Sequence, residues 1–192
     1  MRTLNAAFEA AHDAVGIPFS LLVAGYTGVL LSCTANPLWS KSKWLGPLFS
    51  ASAVATGASG TSLAMSLTNK GGGSHQSHRA LEKIDSAAHV AEAVCLAGFL
   101  KETGERSATL TRGKMKKHFA VVIGGMILSE ILKLLPLPRP LKRVAQALAC
   151  ICGLASGYSL RWAMVHGGHE AANNPKTARM AGKGEHAAKS PR

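Results

Sequence analysis

The sequence predicts an all-α protein, an integral membrane helical bundle of about five transmembrane helices. Two segments, 17–35 and 44–69, contain no charged residue. A mostly apolar run of about 18 or more residues is long enough, as a helix, to cross the hydrocarbon layer of a bilayer. The shorter segments 119–129 and 144–160 are also uncharged, and the basic residues fall almost wholly between and after the apolar runs.

Three parts follow along the chain: an amphipathic N-terminal segment (1–16), a transmembrane helical bundle (17–165) and a polar basic C-terminal tail (166–192). The five spans are expected at 17–35, 45–68, 81–100, 118–135 and 142–165. The connections between them are short, and a Pro-rich turn at 136–141 separates the last two spans because proline cannot continue a helix. The tail lacks apolar periodicity, which is typical of a disordered end.

The net charge of +12 would suggest nucleic acid as a partner in a water-soluble chain. Here membrane topology explains it better, so we expect no nucleic-acid partner. With five spans, thirteen basic residues fall on the side of the 36–44 loop, the 101–117 loop and the tail, and seven fall on the other side. In membrane proteins, Lys and Arg are more frequent in the loops that face the cytoplasm than in those on the other side. We therefore expect a multi-pass protein of the cell inner membrane with a cytoplasmic C-terminus. The three tryptophans fall at the same expected interface, as an aromatic belt would: Trp39, Trp44 and Trp162.

Small residues recur every four positions in three of the spans. Such stripes let helix backbones approach closely in lipid, where no hydrophobic drive brings helices together. The stripes are Ala24, Gly28 and Ser32 in the first span, Ala53, Gly57 and Thr61 in the second, and Ala145, Ala149, Gly153 and Gly157 in the fifth. The stripe of the fifth span is the longest, with a small residue on each of four successive turns, so we expect that span to lie inside the bundle.

Three stretches resemble one known family: "GYTGVLLSCTANPLWSKSKWLGPLFSASAVATG", "ALEKIDSAAHVAEAV" and "SLRWAMVHGGHEAANNP". Over roughly 17–180 the chain resembles the NrfD / polysulfide reductase membrane subunits. The resemblance implies a quinone-binding bundle of about eight spans beside an iron–sulfur partner. The chain looks like only the last five of those spans, and the family's early helices supply much of the quinone pocket and of the contact with the iron–sulfur subunit.

Four ionisable groups lie inside the expected spans: His89, Glu92, Glu130 and Arg161. A charged side chain at mid-helix costs about 2.5–3.5 kcal/mol on insertion scales, so each needs a reason. They could form a proton relay that exchanges protons with water or a quinone headgroup. They could equally form structural ion pairs, Glu92 with Arg161 and Glu130 with Lys133, and both interpretations stay open.

Tyr26 is the candidate quinone-binding residue, because its hydroxyl could reach a quinone carbonyl and the resemblance implies a tyrosine in this part of the fold. It could also be a tyrosine of the interfacial belt. We predict no metal site, because the four cysteines have no cluster spacing. We also predict no haem or iron–sulfur cluster in this chain, because haem b needs two facing span histidines and only His89 lies well inside a span.

The preferred interpretation is a membrane-anchor subunit of a quinone-linked respiratory oxidoreductase complex. Its partner would be a ferredoxin-like iron–sulfur subunit, which carries the electrons, and a chain that supplies the missing spans could be a second partner. Such a chain would at most be a non-catalytic or quinone-reactive subunit of an oxidoreductase. The alternatives are a structural membrane scaffold or truncated remnant without quinone binding, and a small transporter. A transporter would be expected to show inverted repeats or broken helices, and neither is evident in the sequence.

Overall fold

The computed structural model describes residues 2–67, 75–112 and 115–175. These residues form five long helices and two short helical segments, and no strand is found in the described ranges. The long helices are α1 (Arg2–Ser32), α2 (Leu45–Leu67), α3 (His75–Thr103), α5 (Lys116–Leu134) and α6 (Arg139–Asn173). A 3₁₀ turn (Gly104–Ser107) and the short α4 (Ala108–Thr111) connect α3 to α5. The predicted all-α helical bundle is confirmed.

Two helices are long and apolar enough on their own to cross a membrane. They contain the segments His12–Ser32, with a mean hydropathy of 1.8, and Leu141–Asn173, with a mean hydropathy of 1.3. The search covered the described residues only, and the other long helices fall below the same measure. In α2 the uncharged residues are mostly Ala, Ser, Gly and Thr, whereas α3 and α5 carry several charged groups.

Several helix ends differ from the expected boundaries. Helix α1 runs without interruption across the expected boundary between 16 and 17 and contains Pro18. Helix α6 continues through 166–173, so the predicted start of the tail at 166 is wrong. The packing of Gly167, Gly168 and Ala171 against neighbouring elements explains this extension, because tertiary contacts favour helix beyond the uncharged segment. The predicted disorder of the tail falls on 176–192, outside the described residues.

The Pro-rich turn between α5 and α6 forms as its sequence predicts. Leu135 precedes a proline and adopts an extended conformation with ψ 127°, which ends α5. The residue before a proline is pushed out of the helical region by the proline ring. Pro138 is also extended and caps α6, whose first turn contains Pro140. A proline in the first turn of a helix removes no intrahelical hydrogen bond.

Helix α2 is at the centre of the bundle and packs against α1, α3 and α6, while α5 packs mainly against α6. Gly25 and Gly28 of α1 make the contact with α2. A Cβ atom on Gly25 would lie 2.5 Å from Oγ of Ser50, and one on Gly28 would collide with the backbone carbonyl of Leu45. The glycines therefore set the close approach of these two helices.

The small stripe of α6 lies inside the bundle, as predicted, since Ala145, Ala149, Gly153 and Gly157 are all buried. The stripe predicted for α2 is wrong. Gly57 and Thr61 are exposed, and a Cβ atom on Gly57 would meet nothing within 4 Å. Helix α2 instead turns an adjacent stripe inward, formed by Ser52, Ala55 and Ser59.

The interior has an apolar part and a polar part. The apolar part lies at the end of the bundle that carries the 36–44 loop, and its largest fully buried side chains include Leu38, Phe99 and Met164. Trp39 is 5% exposed and packs against Gly168 of α6. Its place in an aromatic belt was therefore wrongly predicted, because Gly168 leaves room for the indole ring inside the protein. Trp44 and Trp162 are 37% and 39% exposed.

Candidate functional site

The polar part of the interior begins with a contact between α3 and α5. Nδ1 of His89 lies 2.9 Å from Oε1 of Glu130, and Oγ of Ser86 donates a hydrogen bond of 2.8 Å to Oε2 of the same carboxylate. The carboxylate of Glu130 also accepts from Lys133, so its oxygen atoms act as acceptors. Nδ1 of His89 must therefore carry the proton and donate to Glu130.

Lys133 lies between two carboxylates. Its Nζ atom is 2.6 Å from Oε1 of Glu130, one turn back on α5, and 2.6 Å from Oδ2 of Asp85 on α3. The second oxygen of Asp85 accepts a hydrogen bond of 3.0 Å from Oγ of Ser59 on α2. We call Ser59, Asp85, Ser86, His89, Glu130 and Lys133 the polar cluster. It links three helices, and the structure contains the expected pairing of Glu130 with Lys133.

Asp85, His89 and Glu130 also have a geometry that suits metal ligands, since one ligand atom from each lies within 4.8 Å of the others. The ammonium group of Lys133 already places a positive charge against both carboxylates. A metal ion at this position would have to displace that ammonium group. The ammonium group of Lys133 thus supplies the positive charge that the two carboxylates need.

Glu92 lies one turn beyond His89 on α3 and is 1% exposed. In the ranges that the structure describes, its Oε1 atom has no hydrogen-bond partner, and neither a hydrogen bond nor an ion pair joins Glu92 to Arg161. Nη1 of Arg161 instead donates to the carbonyl of Gly157 on its own helix, at 3.3 Å. The expected ion pair between Glu92 and Arg161 is therefore not formed, because the guanidinium group turns back along α6.

Tyr26 lies apart from the polar cluster. It is 56% exposed on α1, on a side of the helix that the neighbouring Gly25 and Gly28 do not share. The structure therefore brings together His89 and Glu130, places Glu92 next to them, and leaves Tyr26 on the outer surface of the described bundle.

Sequence reasoning did not single out Asp85, although the pattern was present. Glu82, Asp85, His89 and Glu92 recur every three or four residues, which places them along one side of α3. Glu82 accepts a hydrogen bond from Nε2 of Gln146 on α6, which adds another polar contact along this side. Ser52 gave no such signal, because α2 contains many small polar residues and the residues that Ser52 lies near are on another helix.

The described bundle has two helices that are long and apolar enough to cross a membrane, many exposed apolar side chains and a buried set of charged groups, which is the architecture expected of an integral membrane protein. The chain belongs to the family described as polysulphide reductase, NrfD, which it matches over residues 1–171. It is thus a membrane subunit of the type found in quinone-linked oxidoreductase complexes, where such subunits associate with other oxidoreductase subunits. No curated protein and no solved structure matches the chain.

Proposed function

We propose that this chain is a multi-pass anchor subunit of the inner membrane that completes a quinone- and proton-handling helical bundle. An iron–sulfur subunit of the same complex supplies the electrons. The observation that carries the proposal is the hydrogen bond from the buried His89 to Glu130, with Glu92 one turn away on α3. Ionisable groups within a membrane bundle are costly, and they commonly mark proton pathways.

The positions of the two glutamates suit proton transfer. The Glu92 side chain is almost completely buried, whereas the Glu130 side chain is 29% exposed. His89 lies one turn before Glu92 on α3 and contacts Glu130 directly. Imidazole can accept a proton on one nitrogen while it releases a proton from the other. These three residues therefore provide a route between the interior and the surface of the bundle.

The residues around Tyr26 fit one side of a quinone site. The phenol hydroxyl can donate to a quinone carbonyl, and the exposed side chains of Leu22, Val29 and Leu30 on the same helix provide apolar surface. A quinone held there would be enclosed only when another chain or segment covers α1. When bound, the quinone would supply the two-electron, two-proton chemistry of the complex. Tyr26 would orient the ring by its hydroxyl group.

The assignment of electron transfer to a partner agrees with the positions of the cysteines. Cys33 follows α1, Cys95 lies on α3, and Cys150 and Cys152 lie on α6. Iron–sulfur clusters are held by closely grouped cysteine thiolates. Electrons would therefore enter and leave through a ferredoxin-like subunit that docks on this chain.

A structural scaffold is the second candidate, and a specific observation favours it. Asp85, Lys133 and Glu130 already compensate one another's charges, as a purely structural network would. Removing one partner from a buried ion pair is strongly destabilising, so such a network can specify how α3 and α5 pack. Glu92, which forms no ion pair within 4 Å among the described residues, distinguishes the two candidates.

The proposal is tested on the complex purified from its native membrane through an affinity tag on this chain. We expect an iron–sulfur subunit to co-purify and the complex to show quinone-linked turnover. Tyr26→Phe should raise the KM for quinone, whereas Tyr158→Phe, a matched change at another exposed tyrosine on α6, should leave it unchanged. A complex without an iron–sulfur partner, or without quinone-linked turnover, would contradict the proposal.

A further inference from the structure

Three fully buried polar atoms near the polar cluster have no hydrogen-bond partner among the described residues. They are Oγ of Ser52, Nε2 of His89 and Oε1 of Glu92. The three residues are only 1%, 2% and 1% exposed. Leaving a buried donor or acceptor unsatisfied costs about 1–3 kcal/mol, and more for a charged group. Three such atoms in one region therefore call for a shared partner.

The three residues lie close together where α2, α3 and α6 meet. His89 and Glu92 are one turn apart on α3, and the Ser52 hydroxyl lies near the Glu92 carboxyl group without forming a hydrogen bond of good geometry to it. The small stripe of α6 lies against the same residues. A Cβ atom on Gly153 would lie 3.5 Å from Cε1 of His89, and one on Gly157 would lie 3.5 Å from Oγ of Ser52. The two glycines lie on consecutive turns of α6, so Ser52 and His89 both contact the small stripe of that helix.

We propose that one or two water molecules bind between Ser52, His89 and Glu92 and are held by their polar atoms. The hydrogen-bonding requirements match. Nδ1 of His89 donates to Glu130, and in a neutral ring with its single proton on Nδ1 the Nε2 atom is an acceptor. One water molecule can donate one hydrogen to Nε2 and the other to Oε1 of Glu92, while it accepts the hydroxyl hydrogen of Ser52. Buried waters typically make about three hydrogen bonds to otherwise unsatisfied groups.

The water site completes a proton path, and this role rests on the proposed proton-handling function. When Glu92 is protonated, its carboxyl group donates to the second lone pair of the water oxygen. The proton passes to the water, and the water passes one of its own protons to Nε2 of His89. The ring then releases its Nδ1 proton to Glu130. In sum, Glu92 loses one proton, Glu130 gains one, and His89 and the water return to their initial proton counts. Glu130, with its partly exposed side chain, is the end of the path nearest the surface.

The water site is tested by nitrogen NMR of His89 in the full-length chain, purified with its associated subunits in lipid nanodiscs. Ser52→Thr keeps the hydroxyl group. Ser52→Val introduces a side chain of nearly the same shape as threonine but without the hydroxyl group. We expect a hydrogen-bonded Nε2 that is sensitive to H₂O/D₂O exchange in the wild type and in Ser52→Thr. In Ser52→Val, the resonance should shift to that of a ring nitrogen with a weaker or lost hydrogen bond. An identical Nε2 resonance in both variants would overturn the proposal.

A measurement on the wild-type chain keeps the test valid if Ser52→Val does not fold. Hydroxyl radicals produced by X-ray pulses label buried side chains that contact bound water. His89 should be labelled despite its burial, whereas Phe99, which is fully buried in the apolar part, should remain unlabelled. Equal absence of label at both residues would overturn the water site. Neither readout depends on quinone turnover, so loss of the water site and failure of the proposed function are distinguishable.

Discussion

The contact between Nδ1 of His89 and Oε1 of Glu130, at 2.9 Å, joins α3 to α5 inside the bundle. Helix α3 otherwise packs mainly against α2, and α5 packs mainly against α6. The two helices therefore meet through polar side chains, with Lys133 and Asp85 forming the second contact. The same groups that could move protons also hold the bundle together.

Lys133 should contribute strongly to stability. Lys133→Met leaves the buried Asp85 carboxylate without its counter-charge, and breaking a buried pair in this way costs about 3–5 kcal/mol. The thermal stability of the purified protein in detergent measures the effect. Lys142→Met, at an exposed position on α6, is the control and should have little effect.

The double variant Asp85→Asn/Lys133→Met provides a further test of this pair. It removes both charges, so it should recover part of the stability lost in Lys133→Met. A double variant that is less stable by the sum of the two single losses would show that Asp85 and Lys133 are not coupled.

Gly153 should tolerate no large side chain. A Cβ atom there would lie 2.7 Å from Oγ of Ser59, so Gly153→Leu must push α6 away from α2. Overpacking of this kind costs about 1–3 kcal/mol or more. Ala155→Leu adds a leucine at an exposed position on the same helix and should be tolerated. The yield of folded protein compares the two, and equal losses would refute the interior position of the stripe.

The stripes also show how far the sequence could predict the fold. The stripe of α6 could be assigned because large residues surround it. In α2 nearly every face is small, so spacing alone could not tell Ala53, Gly57 and Thr61 from the buried face of Ser52 and Ser59. Contacts with other helices determine which face of α2 is buried, since Ser59 donates a hydrogen bond to Asp85 on α3.

Prediction of the site had the same limit. The ionisable residues within the spans were identifiable one by one, because each is exceptional in an apolar segment. Their pairing was not, because it depends on the rotation of each helix and on side-chain direction. Arg161 illustrates this, since an ion pair with Glu92 was one of two open interpretations, and Nη1 of Arg161 instead donates to the Gly157 carbonyl. Trp39 was assigned to the membrane interface because its space beside Gly168 exists only in the folded protein.

Gly168 should be needed for the packing of the 36–44 loop. A Cβ atom at this position would collide with the indole ring of Trp39. In addition, Nδ2 of Asn36 donates a hydrogen bond of 2.9 Å to the Gly168 carbonyl. Gly168→Ala should therefore lower the melting temperature and shift tryptophan fluorescence to longer wavelength. Gly57→Ala, where a Cβ atom has open space, should be neutral or slightly stabilising. No difference between the two variants would contradict this packing.

The C-terminus should lie in the cytoplasm, because basic residues are concentrated in the 36–44 loop, the 101–117 loop and the tail. A reporter that is active only in the periplasm, fused after Arg192, should remain inactive. A reporter that is active only in the cytoplasm should be active at the same position. The reverse result would contradict the topology.

The role of Glu92 tests the central claim most directly. Glu92→Gln removes a buried ionisable group with little change of shape, and Glu105→Gln is the control at an exposed position outside the long helices. The measurement is quinone-linked turnover and its proton coupling in the purified complex, normalised to the amount of folded chain. Loss of one positioned acid–base group should lower turnover or coupling by about 10²-fold or more while the folded amount stays similar. Full activity of Glu92→Gln, or loss of folded protein in place of loss of activity, would contradict the account.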